Sequence, residues 1–131
     1  MKVQLTPPGY SCVRIPGAPD YGMPKPTYLA PAPPITLERS DSSILLRQGS
    51  NHLELDSAKI AALKLDGLKP AKGPGYIDIK AVLTNGMEQS VICHWVYSRE
   101  VANWLAESQS AIESIFQLPL DLNFSDFEYD I

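Results

Sequence analysis

The sequence predicts an α+β fold, mainly β: an antiparallel curved sheet or sandwich of about six to seven strands, followed by one C-terminal helix. Short apolar alternations separated by turn residues fill Ile35 to Tyr97. Asn85 and Gly86 sit between two alternating runs, IDIKAVL and QSVICHWVY, as hairpin residues do. Beyond them, residues 99 to 118 contain neither Gly nor Pro and repeat apolar side chains at every third or fourth position.

Most of the 12 prolines fall between residues 7 and 34, in PPGY and MPKPTYLAPAPP. Proline fixes its own φ, removes a donor and biases the preceding residue toward extended backbone, so residues 1–34 read as an extended arm. Tyr10 to Ile15 is its one strand-like run and is expected as an edge strand. Strands are then expected over 35–39, 43–48, 52–56, 59–66, 76–84 and 87–97, with Lys69 to Gly75 a loop because Pro70, Gly73, Pro74 and Gly75 interrupt any ladder. Asn85 and Gly86 tolerate the positive φ angles of a two-residue primed turn. Alternation places Ile77, Ile79, Ala81 and Leu83 on one core face, and Val91, Cys93, Trp95 and Tyr97 on one face of the neighbouring strand. That assignment turns His94 outward, beside a core thiol.

Ser98 is positioned to cap a helix of about 18 to 20 residues. Glu100 suits the positive end of its dipole, and Val101, Trp104, Leu105, Ser108, Ile112, Ile115 and Phe116 form its apolar stripe. Pro119 ends it. Residues 119–131 mix acids with aromatics and show no sustained period, so the chain divides into an arm (1–34), a core with its helix (35–118) and an acidic aromatic tail (119–131).

Consecutive strands, a long last hairpin and one C-terminal helix bearing an indole at Trp104 resemble the pleckstrin-homology-like domain over roughly residues 35 to 117. The resemblance implies a curved antiparallel sandwich closed at one corner by the helix. Where that family binds phosphoinositides, basic residues line the loop after its first strand; here that loop reads Glu38, Arg39, Ser40, Asp41, Ser42. With one cation in that loop, the resemblance implies protein binding instead of lipid binding.

The chain has 131 residues, a single-domain length, with 44% hydrophobic and 20% charged residues. Residues 1 to 118 hold 11 basic and 11 acidic side chains, so the whole net charge of -4 lies in the tail. Nucleic acid is not expected as a partner, because phosphate neutralisation takes clustered cations. Lys64, Lys69 and Lys72 make a poor patch for an anionic membrane, which places a membrane-surface adaptor second. MKVQLTPPGY lacks the apolar stretch of a signal peptide, and no apolar run approaches the ~20 residues of a membrane span. The expected compartment is the cytoplasm, or a virion if the chain belongs to a particle.

No catalytic, metal or cofactor residues are assigned. Cys12 and Cys93 fit no CxxC pattern, and no HxxxH or EF-hand spacing exists. His52 reads as a solvated turn histidine, and Glu54, Asp56, Asp66 and Asp78 as a wet sheet face. A hydrolase would need a Ser or Asp converging on His94 in a concave pocket, which is not expected. Two features point to recognition of a protein partner or of other copies of the chain. Tyr21, Pro24, Pro26, Tyr28, Pro31, Pro33 and Pro34 make a preordered extended strip, and Phe124, Phe127 and Tyr129 alternate with acids in the tail. The expected function is a non-enzymatic interaction or structural subunit that docks onto partner chains of a larger assembly through its extended arms, with a virus or phage head, neck or tail protein as one form of it.

Overall fold

The structure, a computed structural model, describes residues 1–9, 11–13 and 32–129. Among them run β1 (Lys2–Leu5), β2 (Ser11–Val13), β3 (Ile35–Arg39), β4 (Ser43–Gln48), β5 (Asn51–Asp56), β6 (Ile60–Lys69), β7 (Tyr76–Leu83), β8 (Glu88–His94), α1 (Arg99–Phe116) and β9 (Glu128–Tyr129). One sheet has the order β1-β3-β4-β5 and the other β2-β8-β7-β6-β9, antiparallel throughout except where β9 joins β6 in parallel. The fold is therefore α+β and mainly β, as the sequence predicts. One continuous core gathers Ile35, Leu37, Ile44 and Leu46 from the first sheet, Ile77, Ile79 and Ile92 from the second, and Leu105, Ile112 and Ile115 from α1.

The alternating segments fold where their periods indicate: β3 and β4 have the expected bounds, and β2 is an edge strand inside the Tyr10–Ile15 run. β1 is an addition. Its four residues, KVQL, pair with β3 across the intervening residues 6–34, too short a run to show a period of its own.

The hairpin turn differs from the expectation. Leu83 N–H donates to Met87 O at 2.8 Å and Gly86 N–H to Leu83 O at 2.9 Å, which closes a three-residue loop of Thr84, Asn85 and Gly86. Of the pair, Gly86 alone takes a positive φ (87°), while the Asn85 side chain accepts from Met87 N–H at 2.9 Å. A glycine in the left-handed region at the end of a three-residue loop is the second favoured hairpin solution.

The expected facing of β8 is corrected by a bulge. Ile79 pairs with Ile92 but Lys80 pairs with Ser90, leaving Val91 as the extra residue. One inserted residue reverses the parity of everything beyond it. Ile92 and His94 therefore share the core face with Ile79 and Ile77, and Cys93 lies on the opposite face across from Asp78. β8 is buried on both faces from Ser90 to His94. Asp78 is likewise buried rather than on a wet face, and accepts a hydrogen bond from Ser90 Oγ. A carboxylate out of water needs such a donor.

Ser98 caps α1 as expected, accepting from Val101 N–H at 3.2 Å. The helix has no basic residue in its last turn, and Arg39 of β3 supplies the missing cation: its Nη1 donates to Ile115 O at 2.8 Å and Phe116 O at 3.3 Å. Orphan carbonyls and the negative dipole end are thus met by one guanidinium. The chain then leaves the helix through Gln117 in the left-handed region, φ 56°. Leu120 is held at both backbone groups, its N–H donating to Glu113 Oε2 and its C=O accepting from Gln109 Nε2, each at 2.7 Å.

That clamp delivers the tail to the end of the second sheet. Phe124, Phe127 and Tyr97 meet edge to face with ring centroids 5.9 to 6.2 Å apart. β6 runs three residues past its expected end through Gly67, and there the absence of a side chain matters. A Cβ would stand 2.5 Å from Tyr76 O and 2.7 Å from the Phe127 ring.

Candidate functional site

β2 and β8 place Ser11 opposite His94, and their side chains share a 2.6 Å hydrogen bond between Oγ and Nδ1. The two residues are 83 positions apart, and both are fully buried. A serine does meet His94, but inside the core and not in a concave pocket: with no exposed surface on either residue the pair presents no atom to a substrate. Burial pushes His94 down from 6.5 to about 3, so the ring is neutral at pH 7. His94 Nε2 is the one buried side-chain polar atom lacking a hydrogen-bond partner among the described residues. The Trp104 indole lies against the ring edge to face, centroids 5.2 Å apart.

Gln48 anchors the same strand from the other sheet. Its Oε1 accepts from Val13 N–H at 3.0 Å, and its Nε2 donates to Ser11 O at 2.9 Å and Pro33 O at 3.0 Å. One buried amide thus pairs with β2 in the manner of a neighbouring strand. Ser11, Gln48 and His94 together fix the wall that supports Trp104.

On the outer side of Trp104 is a groove of about 540 Å³, lined by Thr6, Pro7, Pro8, Glu100, Asn103, Trp104 and Glu107. Its two walls have different origins. Residues 100, 103, 104 and 107 fall at i, i+3, i+4 and i+7, one stripe along the outer flank of α1. The opposite wall is the turn after β1, where Pro7 is buried and Pro8 half-buried. Trp104 is half-buried, its indole shared between the core and this groove. Among the described residues no Lys, Arg, His or Cys lines it, and neither Glu100 nor Glu107 has an ion-pair partner there.

The sequence-predicted recognition residues are distributed unevenly. Tyr21, Pro24, Pro26, Tyr28 and Pro31 lie outside the described residues; Pro33 is half-buried and Pro34 exposed. Phe127 is buried and Phe124 half-buried against the body, whereas Tyr129 is 59% exposed with Lys69 Nζ 5.3 Å above its ring. The groove was missed because Trp104 reads as part of the inner stripe, and Thr6 to Pro8 are brought to it only by the pairing of β1 with β3.

A small ion-pair network lies on the second sheet. Lys64 is 3.1 Å from Glu88, and Lys80 lies 3.4 Å from Asp66 and 3.7 Å from Glu88. No group of His, Cys, Asp and Glu among the described residues is arranged to hold a metal ion. No helix there is long and apolar enough to cross a membrane. Compared with protein-family models, curated proteins and solved structures, the chain matches none.

Proposed function

We propose that this chain is a non-enzymatic protein-interaction subunit that docks onto partner chains of a larger assembly, on a body of pleckstrin-homology-like type working in the cytoplasm. The observation that carries the reading is the groove beside Trp104: a half-buried indole, two prolines and an exposed helix stripe among its described lining residues. An amphipathic aromatic half sunk in a rigid wall is the anchor type that protein interfaces use most. Two antiparallel sheets with a single helix after the last hairpin support the architectural part of the proposal. Lipid binding is disfavoured because Arg39, the one cation of the first hairpin loop, is committed to the helix carbonyls.

The test is affinity capture from extract of the encoding cell with the intact chain, with Asn103→Arg in the groove, and with Tyr21 and Tyr28 replaced by Ser. Asn103 is exposed, so its substitution fills the groove without touching the core. The expected result is a stoichiometric partner kept by the intact chain and lost by Asn103→Arg. A partner retained equally by all three proteins overturns the proposal.

A further inference from the structure

We propose that the groove receives an extended polyproline-type segment of a partner protein carrying two cationic side chains three residues apart. This rests on the docking role assigned above and adds the chemistry of the occupant. Glu100 and Glu107 are seven residues apart on α1, which sets their Cα atoms about 10.5 Å apart along the axis. Both are exposed, both border the groove, and neither is neutralised by a neighbouring cation among the described residues. A ladder of two unpaired carboxylates with an indole between them is complementary to two cations with apolar stems.

The carboxylate spacing suits a polyproline backbone in the occupant. In a β-strand, residues i and i+3 point to opposite faces, so such a pair cannot reach both carboxylates from one side. In a polyproline helix, three residues complete one turn and advance about 9.3 Å, so i and i+3 share a face at nearly the carboxylate spacing. The residues between them then lie over Trp104, Pro7 and Pro8, where pyrrolidine and aliphatic surface packs well, while Thr6 and Asn103 offer hydrogen bonds to the solvated backbone of such a segment. An arginine stem crossing the indole adds a cation–π contact.

The probe is the acetylated, amidated peptide Ala-Arg-Pro-Ala-Arg-Pro-Ala, titrated into the 15N-labelled full chain at low salt. The expected result is shifts confined to the Thr6–Gly9 turn, residues 100–107 and the Trp104 side chain. Binding should weaken severalfold on raising the ionic strength to that of physiological saline. Glu100→Gln with Glu107→Gln should weaken it about fivefold, and so should a peptide with the two arginines adjacent. Shifts mapping elsewhere, or equal binding by the double Gln protein or the adjacent-arginine peptide, would overturn the assignment. The chain carries this spacing once itself, at Lys69 at the end of β6 and Lys72 in the loop after it. Concentration-dependent self-association lost on charge reversal of those lysines would put a second copy in the groove and also overturn it. If the captured partner is lost on Asn103→Arg yet kept by the double Gln protein, the docking role stands and the cationic assignment falls.

Discussion

His94 makes the fold acid-sensitive in a way that can be worked out from its surroundings. An imidazole free in the unfolded chain takes up a proton near pH 6.5, but the folded chain resists until about pH 3, because burial disfavours the charged ring. Above pH 6.5 both states are neutral there and the group contributes no pH dependence. Between 6.5 and 3 the unfolded state binds more protons, so stability falls with falling pH by up to about 1.4 kcal/mol per unit. From pH 7 to pH 5 the expected loss from this residue is about 2 kcal/mol. Urea unfolding followed by tryptophan fluorescence at pH 7, 6 and 5 measures it, with His94→Asn as the reference. Asparagine keeps a polar atom near Nδ1 for Ser11 but cannot titrate. The mutant is expected to be less stable at pH 7 yet to lose less between pH 7 and 5 than the parent, so that their curves converge. Parallel curves, or an NMR titration of His94 in the folded chain with a midpoint near 6.5, would refute the reasoning.

Arg39→Ala should cost about 1 to 3 kcal/mol in chemical denaturation, since it leaves Ile115 and Phe116 carbonyls without their charged donor; Arg39→Lys should recover only part. Gly67→Ala places a methyl group against Tyr76 O and the Phe127 ring. It should release the tail to limited proteolysis near residues 124–129 while α1 stays protected. Phe127→Ala should do the same and lower stability by about 3 kcal/mol. Gln48→Leu strands the Val13 amide and the Ser11 and Pro33 carbonyls, so a loss of about 3 kcal/mol or more is expected, with faster hydrogen exchange at Val13. Unchanged exchange there would show that water or another group replaces the amide.

How far the fold could be read follows from how local each signal is. β3 and β4 alternate over five and six residues with polar turn residues between them, and α1 carries its own cap and stripe, so neighbouring residues suffice to define them. β8 was legible as a strand but not in its facing, because the bulge at Val91 depends on how it meets β7 and no single-strand pattern records it. The continuation of β6 through Gly67 was hidden for a related reason: a glycine reads as a break until the ring packed on it is known. The tail shows no period because Leu120 and Phe127 are buried from irregular backbone, held by Gln109 and Glu113 of the helix. As for the candidate site, Trp104 was singled out, but its partners Thr6 to Pro8 and Ser11 come from far along the chain.

The hold of Gln48 on β2 reaches beyond stability. A three-residue strand at the margin of a sheet would ordinarily leave a row of bare amides and carbonyls, an invitation for another chain to add itself and grow a fibre. Here a carboxamide already answers the Val13 amide and the Ser11 carbonyl. The margin is occupied by the molecule's own side chain, which keeps this strand from joining other chains indiscriminately.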